Sequence, residues 1–225
     1  MDNHFEMGLG ELRQKLLLMA SRAETSVNDS VKALMQRDHD LAVKVRADDD
    51  IIDQFEIDID EMAIQLLTKA PLASNLRLVT VAMKVSQNLE RIGDEATKIA
   101  KRARDLSQEP PVKITLDLPR LAGLALSMVK DSLDAFVQRD PVAARAIIPR
   151  DKEVDALNRE LHTALAQHMV EHPDTIARCL NWIVAAKSLE RIADHAKNIA
   201  EEVVYLCEAQ DIRHNLKKEV PAATA

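Results

Sequence analysis

The sequence predicts an all-α protein made of two tandem three-helix bundles, and three observations carry that expectation. Hydrophobic residues form 47% of the 225 residues but aromatics only 2%, so a core must come from Leu, Ile, Val, Ala and Met, a set better suited to helices than to sheets. Four glycines leave little material for tight hairpin turns. The second half also repeats the first: Asn88 to Ala103 (NLERIGDEATKIAKRA) matches Ser188 to Val203 (SLERIADHAKNIAEEV) at an offset of 100, with Leu89, Glu90, Arg91, Ile92, Asp94, Ala96, Ile99 and Ala100 repeated identically. Upstream the offset is 102, pairing Gln36-Arg37-Asp38 with Gln138-Arg139-Asp140, Asp49 with Asp151, Asp53 with Asp155 and Pro71 with Pro173.

In the first repeat, helices are expected from about Glu11 to Arg37, from about Asp40 to Lys69, and from about Asn75 to Leu106, with Ser74 as N-cap of the third. Ile52, Phe55, Ile59, Met62 and Leu66 form the apolar stripe of a helix packed on one side, and Val85, Leu89, Ile92, Ala96 and Ile99 form another. The run from Gln108 to Lys113 contains Pro110-Pro111 and cannot continue a helix. In the second repeat Asp140-Pro141 reads as an N-cap followed by proline at the first helical position. Pro149 should interrupt the helix that begins there. The expected organisation is a first repeat over 1–109, a linker over 110–117, a second repeat over 118–212 and a fraying tail over 213–225.

The net charge of −7 opposes the basic footprint that nucleic acid or an anionic membrane requires. The first cation of the chain is Arg13, the following Leu16 to Ala20 is short for a secretory segment, and no apolar run reaches membrane-spanning length. Cys179 and Cys207 form neither a CxxC nor a disulfide framework and read as two reduced, buried thiols. These features fit a cytoplasmic protein.

The residues with the clearest chemical pattern are carboxylates spaced four apart: Asp49 with Asp53, Glu90 with Asp94, Asp151 with Asp155, and Glu190 with Asp194. Such spacing puts each pair on one helical face, where like charges repel. Counted from Pro71, both pairs of the first repeat stand about 27–35 Å from the turn, hence level with each other, and counting from Pro173 reproduces the alignment. Four level carboxylates suit a hard cation such as Mg²⁺, Ca²⁺, Mn²⁺ or iron. The helical wheel turns Glu90 and Asp94 away from the apolar stripe, so an ion would sit on the outer surface. The competing reading is a solvated acidic face balanced locally, for instance Asp94 by Lys98; Arg91 and Arg191 would be surface ion-pair partners, and Gly93 and Ala193 would mark close helix approach.

Catalytic patterns are lacking. No Glu precedes a His by three positions, as a di-iron bundle enzyme needs, and no phosphate-binding loop or nucleophile elbow occurs. His195 faces Glu95 at the equivalent position, so no histidine ligand is duplicated.

Leu89-Glu90-Arg91-Ile92-Gly93-Asp94 and Leu189-Glu190-Arg191-Ile192-Ala193-Asp194, with the preceding Asp-x-x-x-Asp pairs and Ser74 to Val79, resemble the PhoU family over nearly the whole chain. The resemblance implies a non-enzymatic cytoplasmic negative regulator of phosphate uptake, coupling the ATPase subunit of a phosphate ABC transporter to a sensor histidine kinase. It also implies homodimers and metal ions at E/D-x-x-x-D motifs, which map onto Asp49, Asp53, Glu90, Asp94, Asp151, Asp155, Glu190 and Asp194. A metal-storage bundle and a purely structural helical scaffold are the alternatives.

Overall fold

The computed structural model describes residues 2–68, 73–114 and 116–213, and every regular element among them is helical. The first repeat comprises α1 (Asp2–Gln36), α2 (His39–Ala47), α3 (Asp49–Leu67) and α4 (Ala73–Ser107). The second comprises α5 (Leu118–Gln138), α6 (Pro141–Ile147), a 3₁₀ turn at Ile148–Arg150, α7 (Asp151–Glu171), a 3₁₀ turn at Pro173–Thr175, and α8 (Ile176–Glu208). The turn at Pro71 and nearly all of the tail lie outside the described residues.

Three boundaries differ from those expected. The first helix starts at Asp2 rather than near Glu11. Ser74 lies inside α4 and is not its N-cap. The expected second helix is two helices, α2 and α3, meeting at Asp48. Asp is a poor interior helix former, and the run Asp48-Asp49-Asp50 instead starts a helix, with Asp49 and Asp50 in the first turn of α3 where the macrodipole favours anions. The second repeat breaks at the same place, because Pro149 forces the 3₁₀ turn after α6.

The duplicated Gln-Arg-Asp corner has a structural cause. Arg37 and Arg139 both adopt left-handed backbone, with φ of 57° and 53°. The next N–H of each reaches back to Ala33 O at 2.9 Å and Ala135 O at 3.0 Å, the bond that ends a helix with a left-handed residue. The aspartates then cap the following helices: Asp38 accepts from Leu41 N–H, and Asp140 from Val142 and Ala143 N–H. Pro141 follows at the first helical position, as expected.

The predicted apolar stripes face inward. Val85, Leu89, Ile92, Ala96 and Ile99 are completely buried; Ile52, Ile59 and Leu66 are buried, with Phe55 and Met62 packed partly exposed against them. The two repeats meet along α4 and α8, each about 50 Å long, which run antiparallel as the most extensively packed pair in the molecule. One hydrophobic core therefore runs through both bundles. Across the seam, Lys84 pairs with Glu202 (3.1 Å), His195 Nδ1 with Asn88 Oδ1 (3.0 Å), Arg191 with Glu95 (3.3 Å) and Arg102 with Asn181 (3.2 Å). Asn88 is the counterpart of Ser188 and Glu95 that of His195, and Ser188 in turn hydrogen-bonds Glu95. The 88–195 contact is thus the symmetry mate of 95–188, the self-complementary pattern of a two-fold interface inside one chain.

Candidate functional site

In each repeat the acidic residues lie in the seam between the helix that begins at the mid-repeat break and the long helix beside it. Asp49 and Asp151 are the first residues of α3 and α7. Asp53 and Asp155 follow one turn later, while Glu90, Asp94, Glu190 and Asp194 project from the middle of α4 and α8.

In the first repeat all four expected residues form one electrostatic group. Burial, and then the charges of Asp53, Asp94 and Asp50, push the Asp49 carboxyl above its usual range, while the neighbouring Thr97 hydroxyl pulls it down. Burial followed by Asp94 and Asp50 raises Asp53. Burial followed by Asp94 raises Glu90, and Glu56 and Asp53 add to the rise. Sequence reasoning missed Glu56, which is itself raised by burial, Asp60, Asp53 and Asp94; its position three residues after Asp53 was the available signal. Among the described residues Arg91 is the cation that pairs with this group, with Nε 3.3 Å from Glu90 Oε2 and Nη1 3.9 Å from Asp94 Oδ2. Glu90 Oε2 is buried and receives no aligned hydrogen bond. Lys98 does not balance Asp94 as the local-pairing reading expected; it pairs with Glu95 at 2.9 Å. Gly93 fulfils the close-approach expectation, since a Cβ there would stand 3.0 Å from Ile52 Cδ1 and 3.5 Å from Asp49 Oδ1.

The second repeat assembles differently. Asp151 and Glu190 are 9% and 8% exposed, deep in the seam, and even Glu90 and Asp94, which the helical wheel turned outward, are half-buried in theirs. The wheel counted angle from the apolar stripe of one helix and omitted the neighbour packed against its flank. Lys197 Nζ donates to Asp151 Oδ2 at 2.6 Å, and Lys187 Nζ lies 2.5 Å from Glu190 Oε2. Asp151 Oδ1 is buried without a hydrogen bond. Burial, then the charges of Asp151 and Glu190, push Asp194 up to about 6 against the pull of Lys197. Asp155, one turn after Asp151 on α7, is half-buried.

Chemically, the seams offer oxygen donors under mutual repulsion. A hard cation relieves such repulsion by ligation at roughly 2.0–2.6 Å. Among the described residues no three Asp, Glu, His or Cys side chains stand close enough to form a ready-made cage, so ligation needs side-chain rotation and water to complete the shell. The donor set fits an ion in the first repeat. Glu90 Oε2 accepts no hydrogen bond but is ion-paired with Arg91 Nε at 3.3 Å, so a cation entering the first seam would compete with that guanidinium. Of the two thiols, only Cys179 is buried as expected; Cys207 is exposed, with its Sγ 3.4 Å from Arg139 O. No helix among the described residues is long and apolar enough to cross a membrane.

Comparison with known proteins gives concordant matches. The model of the PhoU domain matches twice, over residues 16–103 and 118–203. The phosphate-specific transport system accessory protein PhoU homolog of Pseudomonas aeruginosa is 42% identical over 225 residues, covering 96% of this chain and 92% of that protein. The corresponding Escherichia coli protein is 34% identical, covering 93% and 88%. The crystal structure of PhoU from Pseudomonas aeruginosa superposes with a TM-score of 0.89 at 41% identity, over 92% of this chain and all of that one. The phosphate transport system regulatory protein PhoU of Streptococcus pneumoniae gives a TM-score of 0.85 at 28% identity, over 92% and 99%.

Proposed function

Because the chain belongs to the PhoU family, we propose that it is an accessory protein of phosphate-specific transport that represses the phosphate-starvation response while phosphate is ample. The supporting observation is that two PhoU domains, over residues 16–103 and 118–203 and joined by a two-fold-like seam, make up most of the chain, and that relatives matched over 92% and 88% of their length bear that transport-system name. In this reading the protein works by contact and not by turnover. It docks, in the cytoplasm, on the ATPase subunit of the transporter and on a sensor histidine kinase, and it self-associates as a homodimer. Its first acidic seam, Asp49, Asp53, Glu90 and Asp94, holds a hard cation that offsets carboxylate repulsion and stiffens the contact between α3 and α4.

Deleting the gene should derepress a phosphate-starvation reporter in phosphate-rich medium. Unchanged expression would overturn the regulatory reading. Co-purification of the transporter ATPase and the kinase with tagged protein, and sedimentation of the purified chain, test the partners and the dimer.

A further inference from the structure

Several positions near the acidic pairs differ in charge between the two repeats. At the offset of 102, Glu56 corresponds to Asn158 and Asp60 to His162; at the offset of 100, Gln87 corresponds to Lys187 and Thr97 to Lys197. These four exchanges each move charge in the positive direction, whereas Lys101 to Glu201 moves it the other way, with Glu201 acting on Lys197. In the first repeat Asp49, Asp53, Glu56, Glu90 and Asp94 influence one another, with Arg91 as the cation paired with them among the described residues. In the second, two lysines stand among Asp151, Glu190 and Asp194, Lys197 on Asp151 and Lys187 on Glu190.

Lys197 is the decisive difference. Its side chain is only 27% exposed, and its ammonium contacts the buried Asp151 at 2.6 Å, a charge-assisted bond within the seam itself. The equivalent pair in the first repeat is Asp49 with the neutral Thr97 hydroxyl. A carboxylate oxygen already satisfied by a half-buried ammonium is a poor metal ligand, because an entering dication must displace a cation that then has to find water or a new partner.

We propose that the two acidic seams are inequivalent: the first takes a hard cation, whereas in the second the Lys197 ammonium, held by Asp151, occupies the role of that cation and keeps the site free of metal. The inference rests on the metal reading above and extends it to a division of labour, with one metal-responsive repeat and one fixed by its own lysine. A change in cation supply then alters only the α3/α4 side of the molecule.

Mn²⁺ binding to the full chain, measured by isothermal titration and by electron paramagnetic resonance of the free ion, tests this. The wild type should bind at one seam, with loss of binding in Glu90→Gln/Asp94→Asn and retention in Glu190→Gln/Asp194→Asn. Lys197→Thr should add a second seam and roughly double the Mn²⁺ stoichiometry, since it restores the first-repeat pattern. Lys197→Met, which keeps the bulk without the charge, should do the same, and Lys197→Arg should not. Melting curves without metal confirm that each variant is folded. Binding that is lost with the second-seam carboxylates would overturn the inequivalence, and a stoichiometry unaffected by removal of the Lys197 charge in both folded variants would overturn the role of Lys197; either result leaves the metal reading standing. A wild type that binds no Mn²⁺ at either seam would overturn the metal reading and this inference with it.

Discussion

Asp49 and Asp151 occupy the same structural position, the first residue of a helix, yet one faces Thr97 and the other Lys197. The consequence reaches Asp194, whose carboxyl is raised from 3.8 to about 6 by burial, Asp151 and Glu190. A carboxyl with a raised folded-state pKa holds its proton more tightly when folded, so it adds stability at acid pH and loses that contribution as pH rises from 3.8 through about 6. Asp194→Asn should therefore stabilise the protein at pH 7, by about 1 kcal/mol once solvent screening is allowed for, and the gain should shrink toward pH 4. Urea midpoints at pH 4.5 and 7 measure it; a variant less stable than wild type at pH 7 contradicts the repulsion.

At the scale of elements, the α4/α8 seam titrates in the opposite sense. Burial lowers the His195 pKa, with Arg91, Arg191 and Lys98 acting in the same direction and Glu95 against them. Burial would raise Glu95, but hydrogen bonds from Lys98 and Ser188 and the charges of Lys98 and Arg191 hold it below its usual value. Both groups contribute stability near neutral pH that is lost on acidification, His195 as pH falls from 6.5 through its lower folded value. His195→Gln should make the protein less sensitive to acid between pH 7 and 5.5, the reverse of what Asp194→Asn does to the pH profile. Chemical denaturation across that range reads both slopes. The helix corners are simpler: Asp140 satisfies two N–H groups at the start of α6, so Asp140→Ala should cost about 1 kcal/mol, seen as a lower melting temperature. Mn²⁺ binding in that variant should be unaffected, because the corner touches neither acidic seam.

For the whole molecule, the single core running through α4 and α8 decides how the repeats depend on each other. Leu89, Ile92, Ala96, Ile99 and their counterparts Leu189, Ile192, Ala196 and Ile199 are all completely buried. Cutting the chain at the 110–117 segment would uncover the α4/α8 seam on both pieces, and each large aliphatic group exposed costs about 1.5–3 kcal/mol. Separately produced halves should consequently be unstable or aggregated alone and regain helical stability when mixed. Circular dichroism melts and sedimentation of the mixture against each half check this, and two independently stable, non-associating halves would contradict it.

The helical class, the duplication, the inward stripes and the level placement of Asp49, Asp53, Glu90 and Asp94 were legible in the sequence, because each depends on periodicity and count along one chain. The break at Asp48 was written there too, in three consecutive aspartates, which favour the start of a helix over its interior. What only the tertiary structure decided is how one element's flank is covered by another. Packing of α7 against α8 buries Asp151 and Glu190 and brings Lys197 onto Asp151, while the antiparallel seam sets His195 against Asn88 and Arg191 against Glu95. Helical periodicity gives the direction of a side chain from its own axis, and burial and ion pairing depend on the neighbour standing in that direction.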